Sequence, residues 1–148
     1  KEERDQIPDD PCTTRFMALM KEVSVGGNLA EMLSVMVVCE WSYQTWGERV
    51  LGDIVRDDFM CYEWVDLHSG EQFGAFVAHL RGLLEKEGGL IDEEGKERCK
   101  RRFTETIQLE EDFFENIYVS SNLKSRRPWR PNITRILSRR WRRGKNHT

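Results

Sequence analysis

Cys39 and Glu40 stand side by side at the end of the most apolar stretch of this chain, and three aromatic rings follow them by position 46 (MVVCEWSYQTWGERV, 36–50). A carboxylate moved into apolar surroundings costs several kcal/mol unless it is paired, hydrogen-bonded or protonated. Stepping about 100° per residue round a helix puts Met36, Cys39, Glu40, Tyr43 and Trp46 in one arc, with Tyr43 between Cys39 and Glu40. Val37, Val38 and Trp41 fall opposite. A helix apolar on nearly all sides belongs at the centre of a bundle, which predicts a buried Glu40. The same arithmetic further along puts Glu110 on a stripe with Phe103, Ile107, Phe113, Phe114 and Ile117, while Glu111, Asp112 and Glu115 point away. Two core-facing acids on two helices suggest a site rather than an accident. In an apolar pocket their pKa values rise, and two close acids do not both ionise readily, so one holds a proton while the other accepts one. That suits general acid/base work on a neutral or weakly basic substrate. Cys39 adds a candidate nucleophile, and Tyr43, Trp46, Phe113 and Phe114 would sandwich a flat heteroaromatic ring. The plainer alternatives are a Glu bonded to backbone or a Tyr hydroxyl, and a Cys39 that is a small core residue.

The elements that must position these residues read as helices. Asp10-Pro11 supplies an N-cap and a first helical residue, opening a helix to about Val25 that Gly26-Gly27 stops. Asn28-Leu-Ala-Glu31 is a capping box for a helix through the Cys39 segment to Gly52. Residues 53–62 read as a connection. Ser69-Gly-Glu-Gln72 offers a second capping box, opening a helix with Phe73, Phe76, Val77, Leu80, Leu83 and Leu84 at i, i+3, i+4 spacing, ended by Gly88-Gly89. A last helix follows Asp92 and fades near Tyr118. With no strict alternation and no Asn-Gly turn, the expected class is all-α with antiparallel neighbouring helices.

Length and composition suit one core: 148 residues, 39 % hydrophobic, with five Trp and seven Phe. The apolar stretch 32–39 is too short to cross a bilayer, and the opening KEERD does not read as a signal, so the expected location is cytoplasmic, away from any membrane. Cys12, Cys39, Cys61 and Cys99 form no CxxC, and His68, His79 and His147 sit at no ligand spacing to them. Free thiols, no metal and no cofactor are expected; His68 reads as a surface or capping residue. Charge is uneven. Residues 119–148 hold ten Lys or Arg and no acid, leaving 13 basic against 26 acidic residues over 1–118. The expected organisation is a helical domain over 1–118 and an Arg-rich tail over 119–148 outside its core. Trp129 and Trp141 among the arginines would suit nucleic acid, but a basic tail without that role is the favoured reading.

The strings CEWSYQTWGE, YEWVDLHSGEQFGAFVAHLRGLL and QLEEDFFENIY resemble the C-terminal half of TenA/thiaminase II proteins, over about residues 12–118. The resemblance implies a bundle of the haem-oxygenase-like (TenA) type, here truncated at the N-terminus. One branch of that family uses a Cys four residues before the Tyr, corresponding to Cys39, and the other a Glu three before it, corresponding to Glu40; this chain carries both. The EWSY phrasing resembles the Glu branch, TENA-E, implied to salvage aminopyrimidine products of thiamin breakdown by hydrolysis. The family's acid/base Glu corresponds to Glu110, and its pocket aromatics to Phe113 and Phe114. The expected function is therefore hydrolysis of a formylamino- or aminomethyl-pyrimidine, with Glu40 or Cys39 as nucleophile or base, Glu110 as general acid/base and Tyr43 orienting it. The alternative is a catalytically inactive, truncated helical module acting as a binding partner, because the family's N-terminal helices supply an Asp and a Tyr that have no counterpart here. The resemblance also implies a homo-oligomer, dimer or tetramer.

Overall fold

A computed structural model of the chain describes residues 10–120. Five helices follow one another: α1 (Pro11–Gly26), α2 (Leu29–Val50), α3 (Phe59–Ser69), α4 (Glu71–Gly88) and α5 (Glu93–Ser120). No strand occurs among the described residues, and the class is all-α. The basic segment 121–148 lies outside the described residues.

Local chemistry sets most boundaries. The Asp10 carboxylate accepts from the Cys12 amide at 2.8 Å, and Pro11 opens the first turn. Asn28 caps α2 through the Glu31 amide at 2.9 Å. The reciprocal half of that capping box does not form, because the buried Glu31 carboxylate accepts from Arg98 Nε of α5 at 2.9 Å. Asp92 caps α5 through the Gly95 amide. One element departs from the sequence expectation: the segment read as a connection and an unassigned stretch contains α3, capped by Asp58. Ser69 accordingly caps nothing. It ends α3 with its hydroxyl on the Val65 carbonyl, and Gly70 alone separates α3 from α4.

Helix α2 is central, as its all-round apolar surface predicts, and packs on each of the other four helices. Val37, Val38 and Trp41 are buried to within 1 % of full enclosure, each contributing about 1.5–3 kcal/mol through removal of apolar surface from water. The larger core joins Leu33, Val37 and Trp41 of α2 to Val77, Leu80 and Leu84 of α4, with Phe103 and Ile107 of α5 against it. The Arg81 guanidinium stands over the Trp41 ring at 4.2 Å, a cation–π contact across α2 and α4. A second cluster seats α1 on α5 through Cys12, Leu19, Val23, Val35 and Leu109. Pairs run Glu31–Arg98, Cys39–Glu110 and Trp46–Phe114 along α2 and α5, so these two run parallel. Antiparallel packing holds for α1 against α5, where Arg15 meets Asp112 and Glu22 meets Arg102.

Candidate functional site

Glu110 is 1 % exposed, the most enclosed acid among the described residues. The parallel run of α2 and α5 brings its carboxyl to the Cys39 thiol, which hydrogen-bonds to it. Its Oε2 has no hydrogen-bond partner among the described residues. Burial pushes the Glu110 carboxyl up to about 7; the thiol hydrogen bond works against that rise and the nearby Glu40 carboxylate adds to it. The contrast with Glu31 is instructive. Glu31 is also buried, at 6 % exposure, but Arg98 lies 2.9 Å away and Arg102 4.0 Å, so its charge is compensated and its role is structural. Cys39 and Glu40 act on Glu110, and neither supplies a positive charge.

Cys39 is half-buried and its thiol is held well above the usual range, first by burial and then by the Glu110 and Glu40 charges. A thiol so placed is neutral at physiological pH and becomes a nucleophile only if a neighbouring base removes its proton during attack. Glu40 is half-buried, not enclosed as its apolar helix suggested. The reason is geometric: Met36 and Leu29 on the same stripe are 40 % and 51 % exposed, so none of the other described helices covers that side of α2. Burial still raises the Glu40 carboxyl, and His68 pulls it back down.

Tyr43 is the hub of an aromatic cluster. Its ring meets Trp46 at 5.7 Å, Trp64 at 5.9 Å, His68 at 5.6 Å and Phe114 at 6.3 Å. Its hydroxyl is raised in pKa by burial and by Glu110, Cys39 and Glu40, so it stays a neutral donor. Trp46 and Phe114 pack edge-to-face at 4.6 Å, so no ring-sized gap separates them. Phe113 sits instead with the α1–α5 cluster and meets Phe114 at 5.5 Å. The four rings do not form an open sandwich. The rings that act on the acids are Tyr43, coupled to Glu110 and Glu40, and His68, coupled to Glu40, with Trp64 packed against both rings.

His68 is the site residue that sequence reasoning missed. It is 9 % exposed in the last turn of α3, not on a surface. Its ring stacks on Trp64 at 4.4 Å, and Nδ1 lies 2.6 Å from the Trp64 carbonyl, which requires the proton on Nδ1. Gly47 makes this possible. A Cβ there would lie 2.9 Å from the His68 carbonyl carbon, so α2 and α3 approach through a glycine. The signal was a Trp and a His four apart in YEWVDLHS, which share a face only if the segment is helical.

Among the described residues no helix is long and apolar enough to cross a membrane, and no cluster of three or more His, Cys, Asp or Glu has the arrangement to hold a metal ion. The TENA/THI-4/PQQC family model matches residues 2–120. An aminopyrimidine aminohydrolase of Halalkalibacterium halodurans is 25 % identical over 118 residues, covering 79 % of this chain and 53 % of that protein. The chain thus spans about half the length of this curated relative. A match over four-fifths of the chain, with an all-α structure in agreement, places it: the chain belongs to the TENA/THI-4/PQQC family, whose fold is the helical, haem-oxygenase-like one.

Proposed function

We propose that the chain is the acid/base half of a hydrolase that releases the amine or formyl group from an aminopyrimidine formed by thiamin breakdown. The observation that carries this reading is Glu110: a fully enclosed carboxyl with an unpartnered oxygen, held near pKa 7, beside a thiol and a second acid. The relative's activity on aminopyrimidines supports the substrate class, and neither it nor the family match lends support to an inactive module.

For an aminomethyl substrate the groups divide the work as follows. Ionised Glu110 takes a proton from the attacking nucleophile, either water or the Cys39 thiol. A carbon–oxygen or carbon–sulfur bond forms as the carbon–nitrogen bond breaks, and the proton passes to the departing nitrogen, which leaves as ammonia. If sulfur attacks, water then displaces it and the thiol is restored. A base near pKa 7 is well matched to this task at neutral pH. Glu40, nearer solvent, exchanges protons between Glu110 and water, and the neutral Tyr43 hydroxyl orients the ring or the carboxyl.

Ammonia release from an aminomethyl-pyrimidine by the full chain is the test, compared with Glu110→Gln, Cys39→Ser and Glu40→Gln. Loss of turnover in Glu110→Gln is expected, a reduction of 10²–10⁴-fold being typical for removal of a general base. Retained turnover in Cys39→Ser would assign the attack to water. Equal rates for wild type and Glu110→Gln would overturn the assignment.

A further inference from the structure

Two buried side-chain oxygens have no hydrogen-bond partner among the described residues: Glu110 Oε2 and Ser42 Oγ. Ser42 is 1 % exposed, and the hydrolysis proposed above does not use it. Native proteins rarely leave a buried hydroxyl unpaired, because its desolvation is then uncompensated. Helical hydroxyls commonly return to their own helix. Ser34 donates to the Ala30 carbonyl at 2.8 Å, Thr45 to Trp41 at 2.7 Å, Ser69 to Val65 at 2.6 Å and Thr106 to Arg102 at 2.7 Å. The equivalent acceptor for Ser42 is the Val38 carbonyl, and the Ser42 hydroxyl does not take it. Its hydrogen is left for a group outside α2.

The two oxygens belong to one seam. Along the face of α2 that meets α5, Val35 shares a core cluster with Leu109, Cys39 bonds to Glu110 and Trp46 packs on Phe114. Ser42 stands three residues after Cys39 and four before Trp46, the spacings that share a helix face. Its side chain therefore lies in the α2–α5 seam, bracketed by the Cys39–Glu110 and Trp46–Phe114 contacts, on the side from which α2 meets the Glu110 carboxyl. Helix α5 packs on α2 and α1, and the titratable groups that reach Glu110 from them are Cys39, Glu40 and Tyr43 of α2 and Cys12 of α1. None of these is a cation. A water between Ser42 Oγ and Glu110 Oε2, with the Cys39 sulfur beside it, has the two to four polar partners that a buried water requires.

We propose that Ser42 is the positioning residue of Glu110, joined to it by one buried water. With Glu110 ionised, the Ser42 hydroxyl donates to the water and the water donates to Oε2. With the proton on Oε2 both bonds reverse: the carboxyl donates to the water and the water to Ser42 Oγ. The bridge itself gains and loses no proton. Its bond to the carboxylate is charge-assisted and stronger than its bond to the neutral acid, so the bridge favours the ionised base and restrains the rise that burial imposes. It also fixes the carboxyl plane between the thiol and the water. The role rests on Glu110 acting as the base proposed above, but the bridge is measured without substrate, so its failure and that of the hydrolase reading are distinguishable.

The test is the Glu110 titration in the full chain, followed by carbon NMR of labelled glutamate and assigned by comparison with Glu110→Gln. Ser42→Ala is smaller than the native residue and cannot crowd the seam. It should raise the Glu110 value by about one pH unit, the usual effect of losing one donor to a buried carboxylate. The ionised fraction of Glu110 at pH 6 then falls about tenfold. Ser42→Thr and Ser42→Val add the same bulk and differ in the hydroxyl, so Thr should titrate like wild type and Val like Ala. Cross-relaxation from a long-lived water to the Ser42 and Glu110 amides is expected in wild type and should be lost in Ser42→Ala. A Glu110 value unchanged in Ser42→Ala overturns the positioning role, as do Thr and Val variants that titrate alike; a wild type without the long-lived water signal overturns the bridge.

Discussion

Replacing Glu110 by Gln should make the protein more stable above pH 5, although it removes a group from the centre of the site. The ordinary carboxyl value is 4.5, and burial holds Glu110 at about 7 in the folded chain. Below pH 4.5 the acid is protonated in both folded and unfolded states and ionisation affects nothing. Between 4.5 and 7 the unfolded chain releases the proton while the folded chain keeps it, so stability falls as pH rises; above 7 the loss is complete. The gap between the two values corresponds to about 3 kcal/mol. At 1 % exposure, solvent does not screen it away. Gln has nearly the same volume and no ionisation, so the variant escapes that loss, less whatever the Cys39 contact to the carboxylate contributes. For a helical domain of this size the melting temperatures of variant and wild type should coincide near pH 4.5 and separate by roughly 10 °C at pH 8. Calorimetric or circular-dichroism melts from pH 4 to 8 measure the difference, with the exposed Glu115→Gln as control. Parallel curves for wild type and Glu110→Gln would refute the claim that Glu110 is an uncompensated buried acid.

Three further outcomes are expected. Cys39 should alkylate far more slowly than the exposed Cys61, and Glu110→Gln should accelerate it by removing the nearest charge that holds the thiol protonated; Cys39 and Cys61 reacting alike would contradict this. His68→Phe keeps the stacking on Trp64 but removes the group that lowers the Glu40 carboxyl, so the Glu40 titration followed by carbon NMR should move upward; an unchanged value would place His68 outside the electrostatics of the pair. Gly47→Ala forces a methyl to within 2.9 Å of the His68 carbonyl carbon, backbone that cannot rotate aside, and should cost about 1–3 kcal/mol in denaturant unfolding while shifting the His68 ring signals. Unchanged His68 signals in that variant would show that α3 is not seated through Gly47.

The helices legible in the sequence are those whose caps and period agree. Asp10-Pro11, Asn28 and Asp92 each sit where their side chains accept amide protons. Helix α3 was hidden because its cap, Asp58, falls inside an acidic loop, and because Ser69-Gly-Glu-Gln72 imitates a helix start where one helix ends and the next begins after a single Gly. With α3 unseen, His68 had no element to carry it inward. Glu31 shows the opposite failure: the pattern marked a capping residue, and a cation 67 positions away redirects its carboxylate into the core. Local patterns cannot report a partner that only the tertiary fold supplies.

That limit also explains why the two acids of the pair differ. The period of α2 placed Cys39, Glu40 and Tyr43 on one arc, and they share it, but the arc is covered unevenly. Toward Val50 the side is closed by α3 against Gly47; toward Leu29 no described helix covers it, and Met36 and Leu29 are exposed and Glu40 half-buried. Glu110 lies behind them on α5, enclosed. Partial hydration limits the rise at Glu40, and His68 offsets it further, whereas no cation among the described residues offsets the rise at Glu110. A proton shared between these acids therefore resides on Glu110 and exchanges with water through Glu40. In the proposed hydrolysis this orders the roles by position: the enclosed acid meets the reacting bond, and the one at the opening reloads it.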